Sequence, residues 1–149
     1  MRERIKRALE EALAADDRRR ISTLRLIKAA IKDRDVALRS AGRDPVSDEG
    51  IADVLIKMIK QRLVSSSRYE QDGRLELAQQ ESDEIAIIES LLPEQLTEEQ
   101  VRSACADAVA KTGAEGLRDV GRCMKSLKSR YKGRMDFTKA GQVVRGMLR

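Results

Sequence analysis

Basic side chains are concentrated in the last 33 residues of this chain, where they have the chemistry needed to bind phosphate groups. Residues 117–149 contain ten Lys or Arg and two Asp, a net charge of +8. Residues 1–92 contain eighteen charges of each sign, and residues 93–116 carry a net charge of −3. A positive field confined to one end of a chain, beside a neutral body, attracts a polyanion to a defined surface.

The spacing of these cations predicts one face of a helix. Arg118, Arg122 and Lys125 recur at helical intervals, and we expect the last two to point to solvent. A glycine turn at Gly133 would add backbone amides, which bind phosphate together with flexible cations. The alternative is an ordinary solvated face, although such faces usually mix both signs of charge. The predicted nucleic-acid-binding residues are Arg118, Arg122, Lys125, Lys128, Lys132, Gly133, Arg134 and Lys139.

Residues for catalysis are scarce. The chain has no histidine, which removes the usual general base, and it has no glycine-rich phosphate loop. Asp83, Glu84 and Glu89 fall on a helix, and we interpret them as a solvated polar face. Cys105 and Cys123 fall at apolar helical positions and are predicted to be buried, reduced and structural. We therefore predict no catalytic residues, no cofactor and no metal site.

Composition and periodicity predict an all-α protein. Apolar residues make up 41% of the chain and charged residues 37%, and the apolar positions repeat every three or four residues. No apolar stretch is long enough to cross a membrane, and the N-terminus does not resemble a signal peptide. We expect no membrane association and a cytoplasmic location.

The first 92 residues are predicted to form an antiparallel body of about four helices. Helix 1 spans about residues 2–14; helix 2 begins at Asp16 or Asp17 and stops at Gly42. Helix 3 runs from Ser47 or Asp48 to Gly73, and helix 4 from Arg74 to Leu92, with Leu75 facing inward. Helix 2 mixes both signs of charge, as in its segment 32–35, and we assign no function to that surface.

A three-helix C-terminal module is predicted for residues 97–149, after a boundary at residues 93–96. Thr97 and Gln100 form a capping box that begins helix 5, which stops at Gly113. Helix 6 spans about residues 117–132, and Asp136 caps helix 7. In helix 6, Leu117 lies on the predicted apolar face with Val120, Met124, Leu127 and Tyr131; Gly121 falls between them, which suggests close approach of another helix.

Several short segments, taken in order, resemble the YqeY-like family. They are Leu-Leu-Pro-Glu-Gln-Leu at 91–96, Asp-Val-Gly-Arg-Cys-Met at 119–124 and Lys-Gly-Arg-Met-Asp at 132–136. Residues 20–25 and Lys-Gln-Arg at 60–62 are also similar to the family. This GatB/YqeY domain also forms the C-terminal tail of the B subunit of the tRNA-dependent Asp/Glu amidotransferase.

The resemblance implies a tRNA-binding helical protein related to a carbon–nitrogen ligase that uses glutamine as amido donor. In that enzyme the tail is associated with gripping tRNA, while the chemistry lies in other domains. The partner implied is tRNA, with the amidotransferase or aminoacyl-tRNA machinery as a further one. Two alternatives remain open: a protein-interaction module that docks on an acidic partner, and an amidotransferase accessory that supports ligation without performing it.

Overall fold

The computed structural model describes all 149 residues and contains helices and no strands, which confirms the predicted all-α fold class. The chain divides into two compact units, Met1–Leu92 and Pro93–Arg149. A 3₁₀ helix, Leu117–Asp119, precedes the sixth of the seven α-helices. The helices are α1 (Arg2–Ala14), α2 (Arg18–Ser40), α3 (Asp48–Gln71), α4 (Leu75–Glu89), α5 (Glu98–Thr112), α6 (Val120–Arg130) and α7 (Phe137–Leu148). None of them combines the length and apolar character needed to cross a membrane.

Local capping chemistry begins four of the helices. Asp17, Ser47, Thr97 and Asp136 stand at the N-caps of α2, α3, α5 and α7, and each side chain accepts a hydrogen bond from a backbone amide of the first turn. The capping box of α5 is complete, because the Thr97 amide also donates to the Gln100 side chain at 2.9 Å. These caps satisfy amides that a helix start otherwise leaves unpaired.

The N-terminal unit packs four helices around one aliphatic core. Leu24, Ile27, Ile51, Leu55 and Ile88 are each completely buried. These residues come from α2, α3 and α4, and α1 adds Ile5 and two alanines. Burial of such side chains is the main stabilising term for a helical unit of this size.

Helices α3 and α4 form an antiparallel hairpin beyond that core. Ser66 donates to the carbonyl of Ala78 at 3.3 Å, and Arg62 donates from Nε to Glu84 at 3.0 Å. A later residue of α3 therefore contacts an earlier residue of α4, as expected for two helices that run in opposite directions. Small side chains at Ser66 and Ala78 allow the two helices to approach closely.

The C-terminal unit packs α5, α6 and α7 against one another. Its buried residues include both cysteines, Leu127, Ala140 and Val144. Each of the three helices contributes to this core, so the orientation of α6 about its own axis is fixed by what it buries.

Helices 4 and 6 differ from their predictions. Helix α4 ends at Glu89, and Ser90–Leu92 continue as a turn, because the residue before Pro93 is biased away from the helical region. Leu75, predicted to face inward, is 68% exposed. Leu117, predicted on the apolar face of helix 6, lies in the 3₁₀ turn and is 54% exposed. The tighter winding of that turn takes it off the register of α6.

The prediction for Gly121 is wrong. It is exposed, and a Cβ atom built on it would meet no other atom within 4 Å. No helix approaches it closely, so the cost of a glycine in α6 is not offset by packing.

Candidate nucleic-acid interface

Helix α6 has a buried side and a cationic side. Cys123 and Leu127 are at most 1% exposed and face the core of the C-terminal unit. At 100° per residue, Arg118, Arg122 and Lys125 project from the opposite side of the helix and its preceding turn, and all three are exposed. The same apolar spacing that packs α6 therefore directs the cations outward.

Three of the predicted cations have no partner within the protein. Arg118, Lys125 and Lys128 are exposed, and their side chains make no hydrogen bond or ion pair with another residue. Ordinary surface cations next to carboxylates are partly neutralised by them. Here the charge of all three side chains remains available to a ligand.

Arg122 is exposed, but it is held by the fold. Its Nη1 donates to the carbonyl of Thr112 at 3.1 Å, and its Nη2 donates to Asp119 at 2.7 Å. Thr112 is the last residue of α5, so the guanidinium satisfies a carbonyl that the end of that helix leaves unpaired. The primary role of Arg122 in this structure is to join α5 to the start of α6.

Asp119 organises the loop that precedes α6. Its carboxylate accepts from the Glu115 amide at 2.9 Å and from Arg122. The hydrogen bond from the Glu115 backbone, followed by that from Arg122, lowers the pKa of Asp119 to about 2. The loop therefore depends on an ionised carboxylate.

The turn between α6 and α7 is tied to the segment that precedes α5. Gly133 is buried with φ +69°, and its carbonyl accepts from the Gln95 side chain at 2.7 Å. Arg134 donates from Nε to the Glu94 carbonyl at 3.1 Å, and its own carbonyl accepts from the Leu96 amide at 2.9 Å. Gly133 and Arg134 therefore hold this turn against the segment before α5. The Lys-Gly-Arg sequence did not indicate this structural role.

The remaining predicted residues lie at the edge of the cationic face or beyond it. Lys132 is exposed just past the end of α6. Lys139 lies on α7, 3.9 Å from a Glu98 carboxylate, and both side chains are strongly exposed. Such a pair contributes little to stability. Arg130 instead pairs with Asp107 at 3.0 Å, so that it is not part of the unpaired set.

A groove between α5 and α7 adds a basic residue that the sequence did not single out. It has a volume of about 410 Å³, and Arg102 lines it together with Lys139. Glu98 and Asp136 line the same groove, so two acidic residues balance the two basic ones. This groove has no excess positive charge for an anion.

A model of the Yqey-like protein family matches residues 2–148. The chain belongs to this family. A search of curated proteins found no match.

In this Yqey-like chain two of the three carboxylates considered for catalysis form ion pairs, and the third, Glu89, is exposed. Asp83 pairs with Arg19, and Glu84 pairs with Arg62. Burial, with a smaller contribution from neighbouring Glu84, raises the pKa of Glu81. No group of three or more His, Cys, Asp or Glu is arranged to hold a metal ion.

Both thiols of the Yqey-like chain are free and buried, as predicted. The Cys105 sulfur lies 3.8 Å from the Ala140 carbonyl, and the Cys123 sulfur lies 3.4 Å from the Thr112 hydroxyl. Burial raises the pKa of Cys105, which keeps it in the unreactive thiol form.

Proposed function

We propose that the C-terminal unit binds tRNA through its phosphate backbone, with α6 as the main contact. The observation that carries this proposal is the set of three exposed, unpaired cations Arg118, Lys125 and Lys128 on α6 and the turn before it. Cations that neutralise phosphates release condensed counterions, and this release drives binding. Family membership and the resemblance to the amidotransferase tail support tRNA as the polyanion.

The residues of the cationic face divide into two roles. Arg118, Lys125 and Lys128 would contact phosphates directly, because their exposed charged groups make no hydrogen bond or ion pair within the protein. Arg122 would position the loop that carries Arg118. This division narrows the eight predicted residues to three direct contacts.

Recognition would rest on backbone and shape. The chain has three aromatic residues, Tyr69, Tyr131 and Phe137, and each is half-buried. Base-specific recognition of RNA commonly stacks bases on exposed aromatic side chains. Binding should therefore differ little from one tRNA to another.

The proposed role is accessory and takes place in the cytoplasm, where tRNA is found. In this proposal the unit holds tRNA for an amidotransferase or for the aminoacyl-tRNA machinery and performs no carbon–nitrogen ligation itself. Within this unit, Asp107 and Asp119 are engaged in ion pairs and Asp136 caps α7.

Electrophoretic mobility of the full chain with bulk tRNA over a salt series tests the proposal. With three phosphate contacts, log K should fall with log salt at a slope of roughly −2 to −3. Absence of salt-dependent binding would contradict it. Tighter binding to polyglutamate than to tRNA would instead favour an acidic protein partner, for which exposed Leu117 would supply an apolar contact.

A further inference from the structure

A groove between α1 and α2 in the N-terminal unit combines an apolar floor with a basic rim. Its volume is about 230 Å³. The floor contains Ile5 and Ile31, which are 2% and 6% exposed. The residues that line it are Arg2, Ile5, Lys6, Lys28, Ile31, Lys32 and Asp35.

The single acidic residue of the groove is already neutralised. Two guanidinium nitrogens of Arg2 donate to the two carboxylate oxygens of Asp35, both at 2.9 Å. The Val46 amide also donates to Asp35 at 2.9 Å, and Arg2 donates in return to the Val46 carbonyl. This bidentate pair is geometrically specific, and it fixes one end of the groove. Hydrogen bonds from Arg2 and from the Val46 amide lower the pKa of Asp35, which keeps the carboxylate charged.

The other charged residues of the groove are three lysines without partners. Lys6 comes from α1, and Lys28 and Lys32 lie four residues apart on α2. All three are exposed and make no ion pair or hydrogen bond. Like charges at this spacing repel each other along the helix. With Arg2 cancelling Asp35, the groove carries three positive charges in a unit whose sequence is neutral overall.

We propose that this groove binds an organic phosphate, whose anionic group contacts the three lysines while its apolar body covers Ile5 and Ile31. An inorganic anion would make no contact with the apolar lining, which consists of the small exposed parts of Ile5 and Ile31 and of the lysine stems. An uncharged apolar molecule would leave the three charges unpaired. At about 230 Å³ the groove is smaller than most sites for drug-sized ligands, so it suits a phosphate with one ring. The phosphate could belong to a free ester or to the end of an RNA chain.

A neighbouring groove supplies a matched control. Arg4, Arg7, Arg20 and Glu11 line a second cavity, together with Ala8, Ser90 and Leu91. There Arg4 is held by the Leu91 carbonyl at 3.3 Å, and no basic residue neutralises Glu11. Removing two charges from that cavity changes the net charge of the chain as much as removing two lysines from the first.

Titration of the full ¹⁵N-labelled chain with phenyl phosphate tests the proposal, at about pH 8, where the phosphate is a dianion. Amide signals near Ile5 and Ile31 should shift in a saturable way. Inorganic phosphate should bind several-fold more weakly, and phenol should produce no saturable shift. The K28Q/K32Q variant should weaken phenyl phosphate binding by at least about tenfold, whereas R7Q/R20Q should leave it nearly unchanged.

Three results would overturn the proposal: no saturable shift at the groove, equal affinity of K28Q/K32Q and the wild type, or an equal loss in R7Q/R20Q. Binding of a short RNA with a 5′-phosphate, compared with the same RNA with a 5′-hydroxyl, distinguishes the two sources of the phosphate. Preference for the phosphorylated RNA assigns the RNA end, and equal weak binding of both assigns a free ester. Phenyl phosphate binding should be unchanged when Lys125 and Lys128 of α6 are replaced by alanine, so the groove does not depend on the proposed tRNA contact of the C-terminal unit.

Discussion

Arg122 and Asp119 form an ion pair at the start of α6, with 2.7 Å between Nη2 and the carboxylate oxygen. The same guanidinium caps α5 through the Thr112 carbonyl. Replacing Arg122 therefore removes both a cation and a structural bond, worth about 1 kcal/mol. A loss of RNA binding in such a variant would not separate the two effects. Variants of the unpaired lysines avoid this problem.

The pKa of Asp119 makes its loop sensitive to acid. Because its pKa falls from 3.8 to about 2 on folding, its contribution to stability is complete above about pH 4 and is lost as pH falls towards 2. We expect D119A to be less stable than the wild type near pH 7, with the difference shrinking between about pH 4 and 2. Urea unfolding at several pH values measures this. E115A, which removes a nearby exposed carboxylate, is the control; a D119A difference that stays constant down to pH 2 would contradict the prediction.

Gly121 can be replaced by alanine at a gain in stability. Its Cβ position is open and its backbone is helical, so alanine would remove glycine's entropic cost without a clash. We expect G121A to raise the free energy of unfolding by about 0.5–1 kcal/mol. The same change at Gly113, which has φ +66°, should destabilise the unit. Thermal unfolding of both variants tests the contrast. If G121A were destabilised, the space around position 121 would not be open, and the prediction would be contradicted.

Thr23 has a hydroxyl that the fold does not satisfy. The residue is completely buried, and its Oγ1 atom has no hydrogen-bond partner. Valine has nearly the same shape and no polar group, so T23V should stabilise the N-terminal unit by about 1–2 kcal/mol. T23S keeps the hydroxyl and loses the methyl group, and should destabilise instead. Chemical unfolding of the two variants gives the answer; equal destabilisation by both would mean that the hydroxyl is satisfied in solution.

The two thiols should react only when the C-terminal unit opens. Cys105 and Cys123 are both completely buried. We expect modification by a thiol reagent to be far slower in the native chain than in denaturant, with a rate that follows opening of the unit. Native modification at nearly the rate of a free thiol would contradict the packing of α5 against α6 and α7.

Local sequence signals predicted most helix boundaries, because caps and left-handed glycines act within a few residues. Asp17, Thr97 and Gly73 are examples. Leu75 and Leu117 were assigned to apolar faces by spacing alone and are exposed. Each lies in the first turn after a glycine, where the register of a helix is not yet fixed by packing.

The candidate sites were harder to predict, because their members come from distant parts of the chain. The sequence predicted Arg122 and Arg134 to be surface cations that bind phosphate, yet each donates a hydrogen bond to a backbone carbonyl in another segment. The groove of Lys6, Lys28 and Lys32 was missed because residues 32–35 alternate in sign along the sequence. In space, Arg2 neutralises Asp35 and leaves the lysines uncompensated.

The salt dependence of tRNA binding by a K125A/K128A variant tests directly whether α6 is the tRNA-binding face. Both side chains are exposed and unpaired, and alanine is a good helix former, so the fold should be kept. Circular dichroism of the variant would check that helicity is unchanged. A matched control, R34A/K57A, removes two exposed and unpaired cations from the N-terminal unit.

We expect K125A/K128A to bind all tRNAs more weakly, with a slope of log K against log salt that is shallower by about 1.4–1.8, which corresponds to two lost phosphate contacts. The control should keep the affinity and slope of the wild type. An unchanged slope in K125A/K128A, or an equal loss in R34A/K57A, would contradict the assignment of α6 as the tRNA-binding face.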